Sequence, residues 1–157
     1  MPRSWQTWVL DRGSLTKRLI DASNGNFEVK VQAQKYCVPK LGERKALGLD
    51  ARSKALVREV ELRCHGEIWV TARSVIPIST LCGSERQLKH LGTKPLGAFL
   101  FASKSMRRGG LEVSKLSGND GLSYARRSVF SLHDKSLLVT EYFRREVITS
   151  NMILSTT

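Results

Sequence analysis

The sequence predicts an α+β domain built on a six-stranded antiparallel sheet with short helices packed against it. Three observations carry this. Several runs alternate apolar and polar residues with period two, the spacing that puts successive side chains on opposite faces of a strand. A His65-Gly66 pair sits between two runs rich in β-branched residues, as in a tight hairpin. No strand-like run alternates regularly with a long helical one, which argues against a parallel, doubly wound sheet.

Taken in order, the chain opens with a helix expected over Ser4 to Asp11, and Ser14 can cap a second one beginning at Leu15-Thr16-Lys17-Arg18. Asn24-Gly25-Asn26 is a turn signal. Phe27 to Gln34 then alternates, with Phe27, Val29, Val31 and Ala33 against Glu28, Lys30, Gln32 and Gln34. Tyr36 to Arg52 mixes Pro39, Gly42 and Gly48 with charge and reads as a long connection; together with the helical turn at Ser14 to Arg18 it is expected to include the parts that move to admit a ligand. The hairpin Ser53 to Leu81 follows. Next, Ser84 is positioned to cap a short helix from Glu85 to Leu91 that Gly92 ends, and Thr93 to Gly97 forms a constrained loop. Three more strands are expected at Leu111 to Leu116, Ala125 to Leu132 and Leu137 to Phe143, separated by Gly118-Asn119-Asp120-Gly121 and His133-Asp134-Lys135.

Two strands carry a charge on their apolar phase. Leu56, Arg58, Val60 and Leu62 share one face of the hairpin, opposite Val57, Glu59 and Glu61. In the last strand Leu137, Val139, Glu141 and Phe143 share a face. An inward arginine keeps its charge and needs an anionic partner, from the protein or from a ligand. An inward carboxylate is pushed toward the neutral form unless a positive charge lies within reach. Arg58 and Glu141 therefore either pair with each other in the core or line a polarised pocket.

At 157 residues, 41% hydrophobic and 25% charged, the chain suits one domain over 1–157. MPRSWQTWVL is followed by Asp11 and Arg12, leaving no apolar stretch for a signal peptide or a membrane span, so a cytoplasmic protein without membrane insertion is expected. Cys37, Cys64 and Cys82 lack CxxC spacing and the three histidines are scattered, which points to free thiols and no metal site. The net charge of +12 is spread in pairs such as Lys17-Arg18, Arg107-Arg108, Arg126-Arg127 and Arg144-Arg145. No zinc-finger spacing, aromatic RNA-binding strand or basic heptad accompanies them. They read as a solvated basic surface rather than a nucleic-acid groove, and the chain is expected to act as a monomer.

The segments LVREVELRCHGEIWVTARSVIPISTL, LGTKPLGAFLF, YARRSVFSL and LLVTEYF, together with SLTKR near the start, resemble chorismate lyase in order and spacing over nearly the whole chain. Methionine is typical of the family where Leu15 stands here. The N-terminus is shorter than in enterobacterial members, and Met106 to Asp120 is a few residues longer. The resemblance implies helices covering an enclosed site, in the fold shared with the UTRA effector domains of transcription regulators. It also implies a cofactor-independent lyase converting chorismate to 4-hydroxybenzoate and pyruvate for ubiquinone synthesis. The family's ligand contacts map onto Leu15, Arg58, Leu96 and Glu141. Arg58 would meet a carboxylate or the charge developing on the departing enolpyruvate, and Glu141 would orient the C4 hydroxyl or take the C4 proton. Arg73 is also typical of the family, but alternation puts it with Trp69 and Val75 on the face opposite Ala72 and Ser74, where it reads as structural. A non-catalytic, effector-binding domain of the UTRA type is the alternative.

Overall fold

The computed structural model describes residues 1–118 and 121–155, so Asn119 and Asp120 of the expected turn lie outside it. A seven-stranded sheet organises the chain, in the order β1-β2-β3-β7-β6-β4, with β5 also pairing on β6. Every pairing is antiparallel. The strands are β1 (Phe27–Cys37), β2 (Ala55–Cys64), β3 (Glu67–Pro77), β4 (Met106–Arg108), β5 (Glu112–Lys115), β6 (Leu122–Leu132) and β7 (Lys135–Arg144). The three-residue β4 is the strand beyond the expected six. It is too short for its alternation to register in the sequence.

Five α-helices accompany the sheet: α1 (Arg3–Val9), α2 (Leu15–Ala22), α3 (Leu41–Leu47), α4 (Leu96–Ala102) and α5 (Glu146–Ser155). Ser14 caps α2 as expected, its hydroxyl accepting from the Lys17 N–H at 3.1 Å. Ser84 does not cap. Its hydroxyl bonds the Glu85 carboxylate at 3.0 Å, and the segment Gly83–His90 winds as a 3₁₀ helix behind Cys82. His65 and Gly66 take φ of 53° and 76°, the left-handed pair that a two-residue hairpin needs to match the twist of its strands.

Two bulges alter the faces that simple alternation assigns. A register shift between Val31 and Ala33 brings Gln34 opposite Arg58 and Tyr36 opposite Leu56, reversing the phase expected for the end of β1. A second, at Leu62/Arg63, lets Trp69 and Val70 both enter the main core, so Trp69 does not share Arg73's face. The site-side face of the sheet carries two apolar clusters. Trp8, Val9, Leu19, Trp69 and Phe143 belong to one, and Leu56, Ile76, Leu88, Leu100 and Leu137 to the other. On the opposite face Val57, Val75 and Leu138 pack with Ala46 and Leu47 of α3.

Candidate active site

Where the two apolar clusters adjoin, a band in which polar side chains are interspersed with Val31, Val60, Ala72 and Val139 runs across the sheet. Cross-strand register makes it from two adjacent rows: Gln34, Arg58, Ser74, Val139 and Ser128 in one, Val31, Val60, Ala72, Glu141 and Arg126 in the other. Ala72 and Ser74 are short, so the floor is open above them. The resulting cavity, about 50 Å³ in volume, lies between this floor and the first turns of α2 and α4. Leu15, Arg58, Leu96 and Glu141 all line it, as do Arg108, Arg126 and Phe130.

Arg58 is 2% exposed and has no carboxylate within salt-bridge distance among the described residues. Its Nη1 donates to Gln34 Oε1 (3.2 Å) and its Nη2 to the Lys94 carbonyl (3.1 Å) in the loop leading to α4. Gln34 in turn donates to the Lys89 carbonyl at 3.0 Å. The guanidinium is thus held by neutral acceptors, and burial lowers its pKa from the ordinary value. The expected core pair between Arg58 and Glu141 does not form. β3 lies between their strands, so Glu141 pairs instead with its direct cross-strand neighbour Arg126.

Arg126 Nε donates to Glu141 Oε1 at 2.8 Å. Its Nη1 reaches the carbonyls of Trp8, Val9 and Asp11 at 3.4, 3.1 and 2.6 Å, so one guanidinium joins the inward carboxylate to the C-terminal end of α1. No described residue donates to Glu141 Oε2, which leaves that oxygen available to a ligand. Arg108 approaches the same carboxylate, with Nη2 3.8 Å from Oε1. Burial, and next to it the charge of Arg126, push the Arg108 pKa down to about 10. Three guanidiniums and one carboxylate around a mostly apolar space leave two positive charges in excess. A dianion of matching shape would neutralise them.

Arg126 and Arg108 were read from the sequence as solvated surface pairs, yet Arg126 is buried and the side chain of Arg108 is only 6% exposed. For Arg126 the signal was present, because Tyr124, Arg126, Ser128 and Phe130 alternate onto one face just as Leu137, Val139 and Glu141 do. Arg73 lies on the far face as expected. It makes two hydrogen bonds to Glu43, at 2.7 and 3.0 Å, and one to Glu59 at 2.6 Å. The connection Tyr36 to Arg52, expected as part of a gate, carries α3 and packs on that same far face. The walls that lie over the cavity are residues 13–16, which overlap the other expected gate segment, Ser14 to Arg18, and residues 95–101.

Residues 1–153 match the family model described as chorismate lyase. The chain belongs to the chorismate lyase family. Among its relatives, a protein named probable chorismate pyruvate-lyase from Methylococcus capsulatus is 42% identical over 91% of this chain and 96% of that one. A chorismate pyruvate-lyase from Salmonella newport is 36% identical over 87% of this chain and 79% of its own. Solved structures with the same fold include the effector domain of PhnF from Mycobacterium smegmatis, with TM-score 0.60 at 13% identity over 85% of this chain and 90% of that chain. The ligand-binding domain of a putative GntR-family regulator from Bordetella bronchiseptica aligns with TM-score 0.59 at 14% identity, covering 78% and 86%. This chain therefore shares its fold with effector domains of transcriptional regulators. In this member of the lyase family the cavity residues come from α2, α4 and strands β1, β2, β3, β4, β6 and β7, with Gly13 and Pro95 just ahead of the two helices.

Proposed function

We propose that this chain is a carbon–oxygen lyase that converts chorismate to 4-hydroxybenzoate and pyruvate, the step that supplies the aromatic ring for ubiquinone. The observation that carries this is the charge layout of the cavity: two guanidiniums in excess, apolar walls, and one lining carboxylate with an oxygen to which no described residue donates. Chorismate carries two carboxylates on a ring that becomes aromatic when the enolpyruvyl group leaves C3. Much of the driving force is already in the substrate, so positioning and charge complementarity are what the protein must add.

In this reading Arg58 binds the C1 carboxylate and Glu141 faces C4, with Oε2 taking the C4 proton. The electron pair of that C–H bond completes the ring, and the C3–O pair leaves with enolpyruvate. Enolpyruvate takes up a proton at its methylene carbon to become pyruvate. Leu15 and Leu96 close the walls over the ring. Arg126 holds Glu141 in place. No cofactor enters the scheme. The enzyme acts as a monomer in the cytoplasm on small anions, and no helix among the described residues is long and apolar enough to cross a membrane.

Incubating the purified protein with chorismate and no added cofactor tests the reading. Equal yields of 4-hydroxybenzoate and pyruvate are expected. Binding without turnover would overturn it in favour of an effector-binding domain, which the shared fold with regulator domains makes the second reading.

A further inference from the structure

Arg108 reaches the cavity from β4, at the far side of the site from Arg58. Four strand spacings separate β2 from β4 in the sheet order, about 19 Å between backbones, so the two long side chains approach the ligand space from opposite ends. Glu141, on β7, lies between them and near Arg108. The Arg108 guanidinium is fixed on three sides. Its Nε donates to Ser128 Oγ at 3.1 Å, its Nη1 to the carbonyls of Arg12 and Gly13 at 3.2 and 3.4 Å, and its Cζ lies over the Phe130 ring, 4.9 Å from the ring centre. Its Nη2 makes no hydrogen bond to any described residue. At 3.8 Å from Glu141 Oε1, that nitrogen is beyond hydrogen-bond range of a carboxylate already bonded to Arg126.

We propose that Arg108 binds the second carboxylate of a dianionic substrate, the one carried on the enol ether at ring position C3. The inference rests on the lyase reading of the cavity, which puts C4 against Glu141. C3 is the neighbour of C4, and Arg108 is the neighbour of Glu141, so the group on C3 falls at Nη2. Arg126 shows the same pattern, with Nε and Nη1 engaged and Nη2 without a hydrogen bond to a described residue, but its charge is already paired with Glu141 at 2.8 Å, whereas Arg108 stands 3.8 Å from that carboxylate and keeps its charge for a ligand. A buried, rigidly held guanidinium with one unused donor is suited to a carboxylate oxygen. The same donor meets the charge that develops on the enolpyruvate oxygen as the C3–O bond breaks. The aromatic product has lost that carboxylate, so Arg108 recognises substrate and not 4-hydroxybenzoate, whereas Arg58 recognises both.

The test compares Arg108→Gln and Arg108→Lys with the unmodified protein, reading kcat/KM for chorismate and Kd for 4-hydroxybenzoate. Gln keeps a donor for the neighbouring carbonyls and removes the charge. The expected result for Arg108→Gln is a loss of about 10²-fold in kcat/KM with product affinity changed by less than about threefold, and partial recovery of kcat/KM in Arg108→Lys. Equal losses for both ligands would mean that Arg108 only braces the 12–13 turn, and would overturn the proposal. So would a kcat/KM within about threefold of the unmodified value. A protein that binds both ligands without turnover would overturn the lyase reading alone. The anchor would then be judged by the ratio of chorismate to 4-hydroxybenzoate affinity, which Arg108→Gln must lower for the proposal to stand.

Discussion

Arg126 and Glu141 stand directly opposite each other on β6 and β7, with Nε 2.8 Å from Oε1 and the guanidinium only 1% exposed. The pair places a charge-assisted hydrogen bond in the cavity wall and leaves the second carboxylate oxygen without a donor among the described residues. It also links the sheet to α1 through three carbonyls. Chemistry and folding therefore meet at one contact, and substitutions on its two sides should have different effects.

Glu141→Gln keeps the shape and leaves Arg126 its three carbonyl acceptors. It should fold with Tm lowered by no more than about 4 °C, the shift that ~1 kcal/mol produces in a chain of this size. Turnover of chorismate should fall by roughly 10²- to 10⁴-fold, the usual contribution of a positioned proton acceptor. A strongly destabilised variant whose folded fraction kept full activity would sink the catalytic assignment.

Arg126→Met removes the partner of a buried carboxylate and the cap of α1 together. Breaking a buried pair from one side costs about 3 to 5 kcal/mol, so Tm should drop by roughly 10 °C with turnover lost as well. Thermal unfolding unchanged within a degree or two would show that the pair is not an anchor.

Gly97, on α4, sits so close to α2 that an added Cβ would lie 2.7 Å from Thr16 Oγ1. Residues 13–16 and 95–101 wall the cavity, so the contact between these two helices sets how closely it shuts over a ligand. Gly97→Ala should wedge them apart, weakening 4-hydroxybenzoate binding by about tenfold and speeding its release. Adding Thr16→Ala removes the clashing oxygen and should restore the affinity. If the two changes proved strictly additive, the contact would have no part in closure.

The Glu43–Arg73 bridge on the far face predicts a pH dependence of stability. Burial alone would raise the Glu43 carboxyl, but hydrogen bonds from Arg73 outweigh it and hold the pKa below the ordinary 4.5. The folded value is therefore below the unfolded one, so the contribution is complete above about pH 4.5 and fades as pH falls through the folded value. The stability difference between the unmodified protein and Glu43→Gln, from urea unfolding, should be constant from about pH 6 to 8 and shrink at more acid pH. A difference that grew on acidification would contradict the bridge.

Much of the site was legible because alternation is a local property. That Arg58 shares a face with Val60, and Glu141 with Val139, follows from the period of an extended chain whatever lies beside it. The same rule reaches Arg126 through Tyr124, Ser128 and Phe130, although a pair of adjacent arginines reads first as solvated charge. Arg108 had no such signal, since β4 is only three residues long.

The residues by themselves determined the α+β class, the turn at His65-Gly66, the Ser14 cap and the inward phase of Arg58 and Glu141, all properties of neighbours along the chain. Only the tertiary structure decided who meets whom. The bulge after Val31 turns Gln34 toward Arg58, the order β2-β3-β7 keeps Arg58 away from Glu141, and β6 beside β7 hands Glu141 to Arg126. Strand order and register are settled by the burial of whole faces, a long-range free energy that no stretch of sequence carries alone.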